Sequence, residues 1–296
     1  MTRLNANILL LFTGAIWGMG FVAQSTAMDA IGPFLFIGLR FAVATVAILP
    51  WALMEARRAP TALEPAHWRL FALIGLVLFA GMAAQQAGLL TTTVTNSGFL
   101  TGLYLVMVPF LGVVIYRQWP HPVVWPSAFA ALAGVFLLSG GTLTALVPGD
   151  WLTILCAFFW GLQILLVGRH GPGIGRPVAL AVTQFAVTAV IGLAIGLAFE
   201  PFDPSAIRLA APEILFAGIV AGGLGFTFQM IGQRYTTAAN AAIFLSSEAL
   251  FAALFGGLLL GERLGAMAAA GCALIFLAML AVEIGPVMLA RRRLIP

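Results

Sequence analysis

The sequence consists of long apolar runs separated by short breaks, and this division limits how the chain can fold. A helix that crosses a membrane needs about 20 mostly apolar residues. The breaks carry Pro, Gly and charge, as in "RHGPGIGRP" and "EPFDPSAIRLAAPE". The runs are too long for the strands of a barrel and do not alternate. They predict an all-α integral membrane protein with ten transmembrane helices at about 7–27, 33–52, 68–90, 94–116, 121–143, 151–168, 177–199, 212–233, 238–260 and 265–289.

Composition supports a membrane location. Hydrophobic residues make up 62% of the 296 residues and charged residues only 8%, whereas soluble domains carry about 25% charged residues. Every basic side chain apart from histidine is Arg, and the arginines lie between the apolar runs rather than in one patch. This placement argues against a nucleic-acid partner and indicates a lipid bilayer as the surroundings.

The arginines also predict an orientation. With the N-terminus inside, the outer segments hold only Arg208 and Arg263, and Arg40 falls within the second helix. Cytoplasmic segments of membrane proteins carry the excess of basic residues. We therefore expect a multi-pass protein of the inner membrane with both termini cytoplasmic. The predicted cytoplasmic arginines are Arg3, Arg57, Arg58, Arg69, Arg117, Arg169, Arg176, Arg234, Arg291, Arg292 and Arg293.

The chain contains an internal repeat. "QQAGLLTTTVTN" at 85–96 and "QMIGQRYTTAAN" at 229–240 share Gln, Gly, two Thr and Asn at an offset of 144. This predicts a first repeat at 1–145 and a second at 146–296, each with five helices. Because five is odd, the second repeat starts on the opposite face and is inverted, an arrangement typical of secondary transporters. The alternative is independent convergence on residues that suit helix packing.

The polar residues that recur in the two repeats are candidate gate residues. Gln85 and Asn96 are predicted to form an outer gate, and Gln229 and Asn240 an inner one. Alternatively, these side chains cap helix ends and satisfy tight turns, which is the interpretation we favour for the threonines between them.

Several polar and aromatic residues fall near the middle of their helices. A charged side chain there costs about 2.5–3.5 kcal/mol on insertion scales, so it usually faces the bundle interior. Glu248 could attract the ammonium of an amino acid and Arg40 its carboxylate. The alternatives are a structural ion pair for these two, bonding of Arg40 to backbone carbonyls, and helix packing for the tryptophans. The predicted substrate-binding residues are Trp17, Arg40, Tyr104, Trp160, Gln163, Ser246 and Glu248.

The sequence offers little for an enzyme. His67, His121 and His170 lie in separate breaks, and no G-x-S-x-G, H-E-x-x-H or Walker A pattern occurs. Cys156 and Cys272 lack metal-ligand spacing. We expect no cofactor, no metal and no catalytic residue. A membrane-embedded enzyme and a channel stay open as alternative functions.

Three stretches resemble the EamA-type branch of the drug/metabolite transporter superfamily: "AIWGMGFV", "LRFAVA" and "TTAANAAIFLSSEALFAALFGGLLLGERL". The resemblance covers nearly the whole chain. It departs at Gln118, which stands at the position matching Glu262. It implies ten helices and export of small metabolites. Among family members the chain looks most like YddG-type amino-acid exporters, so amino acids are the expected substrates, with other metabolites or drugs as the alternative.

Overall fold

The structure is a computed structural model that describes residues 1–28, 30–92, 94–138, 140–141, 146–251, 254 and 265–292, and these are helical with short connections. An 11-residue π-helix, Phe216–Phe226, interrupts one transmembrane segment. The α-helices are α1 (Arg3–Ala27), α2 (Pro33–Arg58), α3 (Pro65–Leu89), α4 (Val94–Thr101), α5 (Tyr104–Tyr116), α6 (Val124–Leu138), α7 (Pro148–Ile174), α8 (Pro177–Phe199), α9 (Pro204–Leu209), α10 (Ala211–Leu215), α11 (Thr227–Gln233), α12 (Ala238–Leu245) and α13 (Ala266–Arg292).

Seven helical stretches in the described residues are long and apolar enough to cross a membrane. Two shorter apolar helices, Val124–Leu137 and Ala238–Phe251, accompany them. The prediction of an all-helical membrane protein is thereby confirmed, while the ten-helix count stays a prediction. The join expected between the ninth and tenth helices, with Glu262 and Arg263, lies outside the described residues.

Some helices are longer than predicted, for local reasons. α7 begins at Pro148, before the predicted start, because the Asp150 carboxylate accepts the Val147 N–H at 2.9 Å. It ends where Gly175 adopts a left-handed conformation with φ of 71°, which glycine adopts without strain. α2 continues past Pro50 as far as Arg58.

The bundle has two ends, which we name by α1. The proximal end is where α1 begins, and the distal end is where α1 finishes. At the proximal end Arg176 pairs with Glu55 at 3.5 Å and donates to the Thr61 carbonyl. The helix directions place Arg208 at the distal end. The described arginines at the proximal end are Arg3, Arg57, Arg58, Arg69, Arg117, Arg169, Arg176, Arg234, Arg291 and Arg292.

α2 and α8 are antiparallel neighbours that approach unusually closely. A Cβ on Gly38 would lie 2.5 Å from the Leu193 nitrogen, and one on Gly192 would lie 2.8 Å from the Gly38 nitrogen. Real side chains do not tolerate such distances, so the two backbones meet only because both positions are glycine.

Each of these two helices also ends at a glutamate that caps the other. The Glu200 carboxylate, after α8, accepts the Phe34 and Leu35 N–H groups at 2.9 and 2.7 Å. The Glu55 carboxylate, near the end of α2, accepts the Val178 and Ala179 N–H groups at 3.1 and 2.9 Å. Both helix starts therefore have their otherwise unpaired N–H groups satisfied across the pair.

Two apolar helical stretches, 94–116 and 238–251, are each broken by a turn. α4 ends at Thr101 and α5 begins at Tyr104, with Gly102 and Leu103 in a turn. α12 ends at Leu245, and the chain becomes helical again at 247 after a turn at Ser246. Such breaks free backbone groups inside the bundle, which is tolerated where the chain lines a cavity.

Candidate functional site

A central cavity of about 50 Å³ lies between the broken helices, α1, α2, α7 and the π-helix. Its lining includes six of the eleven predicted site residues. The breaks explain two of them, because Tyr104 and Glu248 come directly after the turns at 102–103 and 246. The six residues are Trp17, Arg40, Gln85, Tyr104, Trp160 and Glu248.

Arg40 carries a buried positive charge into this cavity. Its side chain is 5% exposed, and its guanidinium lies over the rings of Phe36 and Phe41, at 5.2 and 5.0 Å from their centroids. One terminal nitrogen contacts the Met82 sulfur, and Nε has no hydrogen-bond partner in the described protein. Aromatic faces compensate a buried cation only in part. The guanidinium is therefore available to an anion.

Tyr104 and Glu248 line the same cavity, and the Tyr104 hydroxyl lies beside the Glu248 carboxylate. The hydroxyl forms no hydrogen bond of ordinary geometry within the described residues, although Tyr104 is only 3% exposed. A buried unpaired hydroxyl is costly. The Glu248 carboxylate is therefore the neighbouring group that the Tyr104 hydroxyl can bond.

Arg40 and Glu248 do not form an ion pair. The salt bridges in the described part of the chain are Arg3–Glu283 at 3.3 Å and Arg176–Glu55. The two charged residues thus line one cavity and leave each other unpaired.

An aromatic cluster fills the proximal side of the cavity. The Trp160 and Phe226 rings are stacked, with centroids 5.4 Å apart and planes 9° from parallel, and the Trp17 ring lies 4.8 Å from Phe226. The Trp17 Nε1–H donates to the Ala221 carbonyl of the π-helix at 3.0 Å. π-helical turns occur frequently at functional sites, and here the π-helix fixes a cavity tryptophan.

A network of four fully buried glutamines lies beyond the aromatic cluster, toward the proximal end. Gln229 Nε2 donates to Gln163 Oε1 at 3.0 Å and to Gln233 Oε1 at 3.1 Å. Gln163 donates to Gln184 at 3.3 Å, and Gln233 donates to the Ile164 carbonyl at 2.9 Å. The amides tie α7, α8 and α11 together below the cavity.

Five predicted site residues lie outside the central cavity or outside its description. Gln163 and Gln229 belong to the glutamine network, and Asn240 lines a different cavity. The Ser246 hydroxyl donates to the Ile243 carbonyl of its own helix at 2.7 Å and is absent from the cavity lining. The Asn96 side chain lies outside the described residues.

Sequence reasoning missed several lining residues. Phe41, Phe226 and Met82 read as ordinary apolar core residues, and no sequence signal separates them from their neighbours. Gln184 and Gln233, which belong to the glutamine network rather than to the cavity lining, are different, because buried amides in so apolar a chain are themselves a signal. Among the described residues no cluster of three or more His, Cys, Asp or Glu side chains could hold a metal.

A second cavity of about 360 Å³ opens near the proximal end, between α5, α6, α7, α12 and the start of α1. It includes Val108 of α5, one helical turn from Tyr104 of the central cavity, and Leu165, which follows Ile164 of the central cavity. One helical turn rises about 5.4 Å, so the two cavities are close neighbours along the bundle axis.

Comparison with solved structures supports the fold. A crystal structure, described only as that of a protein, superposes with a TM-score of 0.79 over 100% of both chains at 19% identity.

Comparison with known sequences gives two relatives from Archaeoglobus fulgidus, each described as an uncharacterized transporter. One is 30% identical over 290 residues, covering 95% of this chain and 87% of the relative. The other is 26% identical over 283 residues, covering 94% and 98%. The sequence profile of the EamA-like transporter family matches twice, at residues 4–140 and again at 147–283. The chain is thus a member of the EamA-like transporter family, a membrane transporter of small molecules.

Proposed function

We propose that the protein exports amino acids by alternating access through the central cavity. The observation that carries this proposal is that Arg40 and Glu248 line one cavity without pairing. Two opposite charges left apart in a buried site suit a ligand that brings its own opposite charges. An amino acid is the smallest common molecule with that pattern.

The remaining lining suggests how such a zwitterion would lie. The Glu248 carboxylate binds the ammonium, and the Arg40 guanidinium binds the carboxylate through charge-assisted hydrogen bonds. The Tyr104 hydroxyl lies beside Glu248 and can accept a further ammonium hydrogen. Trp17, Trp160 and Phe226 then face the substrate side chain, which favours apolar and aromatic amino acids.

Alternating access requires two equivalent halves, and three observations support an inverted repeat. The family profile matches twice. The helix breaks at Gly102 and Ser246 are 144 residues apart, the offset of the sequence repeat. Glu55 and Glu200 cap reciprocal helix starts. An inverted repeat gives two nearly equal states, one open to each side, around a site near the midplane.

The gates follow from the same symmetry. The glutamine network with Gln229 closes the proximal side, and Gln85, which donates to the Thr101 hydroxyl at 3.3 Å, lies at the matching distal position with Asn96 beyond it. Ligand sites usually measure about 300–1,000 Å³, far more than the 50 Å³ of the central cavity. Binding therefore needs separation of the rings of Trp17, Trp160 and Phe226.

The arginine-rich proximal end is the cytoplasmic one in this proposal, in accord with the positive-inside rule. Both termini then lie in the cytoplasm, and the protein sits in the inner membrane. The amino acid moves from the proximal to the distal side.

Counterflow in proteoliposomes tests the function. Vesicles loaded with unlabelled phenylalanine should accumulate labelled phenylalanine transiently, and Glu248→Gln and Arg40→Gln should abolish this accumulation. Arg208→Gln, an exposed arginine at the distal end, removes the same charge and should leave exchange intact. A channel would dissipate the gradient without counterflow. No exchange with any amino acid, while other metabolites or drugs exchange, would contradict the proposed substrate class, and chemical conversion of the label would indicate an enzyme.

A further inference from the structure

The second cavity has the features of a binding site in its own right. Its 360 Å³ falls within the size range of ligand pockets, whereas the central cavity does not. Its polar lining comes from Arg3, Gln118, His121, Thr237 and Asn240, and no described carboxylate lines it. A pocket with donors and no acid favours an anion over a cation.

The start of α12 supplies the donors. Thr237 caps this eight-residue helix by accepting the Asn240 N–H at 3.2 Å. The N–H groups of Ala238 and Ala239 have no acceptor within the helix, because the first residues of any α-helix lack one. Both residues line the cavity. The positive end of the helix dipole adds to the attraction for a negative group at this point.

The Asn240 side chain gives an independent indication of a ligand. It is only 6% exposed, it lines the cavity, and the hydrogen bond that Asn240 makes within the described part of the chain comes from its backbone N–H to Thr237 and leaves the side-chain amide free. Buried amides are normally satisfied. Its NH₂ group lies on the same helix turn as the two free backbone N–H groups, so the three donors can converge on one acceptor group.

The nearby charges leave this position positive. Arg3 lines the cavity but is neutralised by Glu283, which also accepts from Asn7 at 2.6 Å. Glu283 itself is not part of the lining. His121 is exposed at the mouth of the cavity. The helix start and the Asn240 amide therefore supply donors that no described carboxylate of the lining opposes.

We propose that the second cavity binds a carboxylate at the N-terminus of α12, held by Ala238, Ala239 and Asn240. This carboxylate would belong to the transported amino acid, which binds here before it passes Val108 to the central cavity. That identification rests on the proposed function. The carboxylate-binding chemistry does not. A lipid phosphate offers the same anionic oxygens, and the experiment separates the two sources.

Asn240→Asp is the informative variant. It keeps the side-chain shape, and an acidic residue in the first turn of a helix favours folding. It places a negative charge against the incoming carboxylate, so an anion should bind at least tenfold more weakly, whereas a cation would bind more tightly. Asn5→Asp makes the same change at an exposed position of α1 near the same end and is the matched control.

Binding is measured by calorimetry on the full chain in nanodiscs of phosphatidylcholine, with 3-phenylpropionate as the carboxylate probe and 2-phenylethylamine as the amine probe. We expect the carboxylate probe to bind to the wild type, to Asn5→Asp and to Arg40→Gln, and to lose at least tenfold in affinity with Asn240→Asp. Trp119 is in the cavity lining, so its fluorescence should change when the probe binds. Trp119→Phe should abolish this fluorescence change and leave the heat of binding measured by calorimetry unchanged.

Three results would overturn the proposal. These are equal carboxylate affinity in Asn240→Asp, tighter binding of the amine probe by that variant, and loss of binding only with Arg40→Gln. Displacement of the bound carboxylate probe by short-chain phosphatidylglycerol, but not by phenylalanine, would assign the site to a lipid phosphate instead. Binding is measured without transport, so a failure of amino-acid exchange would not contradict the carboxylate site. A failure of carboxylate binding would likewise not contradict amino-acid export.

Discussion

Arg40 and Glu248 line the same buried cavity and form no ion pair with each other. This finding argues against a structural ion pair, and substrate binding by the two residues stays a prediction. A structural pair would have placed the guanidinium and the carboxylate in contact, whereas here Arg40 faces two aromatic rings and a sulfur.

A double-mutant cycle should therefore show independent effects on stability. The losses in unfolding free energy of Glu248→Gln and Arg40→Gln should add within about 0.5 kcal/mol, as for residues not in contact. Exchange should be lost in each single variant, and the swap Arg40→Glu with Glu248→Arg should not restore it. A coupling energy above about 1 kcal/mol, or rescue by the swap, would show that the two charges form a pair.

The reciprocal caps should matter for stability and not for substrate selection. Glu55→Ala and Glu200→Ala each remove the acceptor of two N–H groups, and a lost cap typically costs about 1 kcal/mol. The sites lie at opposite ends of a 26-residue helix, about 39 Å apart at 1.5 Å per residue, so the costs should add. Thermal unfolding in detergent measures them. Glu213→Ala is the control, because the Glu213 side chain makes no hydrogen bond among the described residues.

Labelling should show the two ends of the bundle on opposite sides of the membrane. In a Cys272→Ala background, which leaves only the buried Cys156, Ala62→Cys lies at the proximal end and Phe202→Cys at the distal end. An impermeant maleimide should label position 62 only from the cytoplasm and position 202 only from outside. Labelling of both from one side would rule out the inverted arrangement.

Breaking the glutamine network should open the proximal side. Gln229→Leu removes bonds to Gln163 and Gln233. Because hydrogen bonds between membrane helices average about 0.6 kcal/mol and reach about 1.7, we expect about 1 kcal/mol of lost stability. A cysteine at Ile164, in the cavity lining, should react faster from the proximal side in this variant. An unchanged rate would mean that the aromatic cluster alone closes the path.

The sequence predicted the chemistry of the site better than its shape. Charge and aromatic residues in mid-helix stand out against an apolar background, so Trp17, Arg40, Tyr104, Trp160 and Glu248 could be selected without coordinates. Their meeting in one cavity depends on the broken helices, and a break at Gly102 or Ser246 has no strong local signal. Both residues are compatible with a continuous helix at modest cost.

Two residues predicted to bind substrate do not line the central cavity, and the reason is physical. Ser246 is polar and central, but a serine in a helix can satisfy its hydroxyl on its own backbone, as it does with Ile243. Gln163 is equally central, but its amide is hydrogen-bonded to the amides of Gln184 and Gln229. Whether a polar residue faces a cavity or a partner depends on neighbours that are remote in sequence.

The reciprocal caps also affect the order in which the helices can fold during synthesis. Glu200, which accepts the Phe34 N–H, is synthesised 166 residues after Phe34. The start of α2 therefore stays uncapped until the ribosome has passed residue 200. The Gly38 face of α2 also lacks its neighbours at that stage, because it packs against Gly192 and Leu193 of α8. A ribosome stalled before residue 177 would therefore hold a first half whose second helix lacks its partner, and the two halves become a stable unit only once both have been inserted.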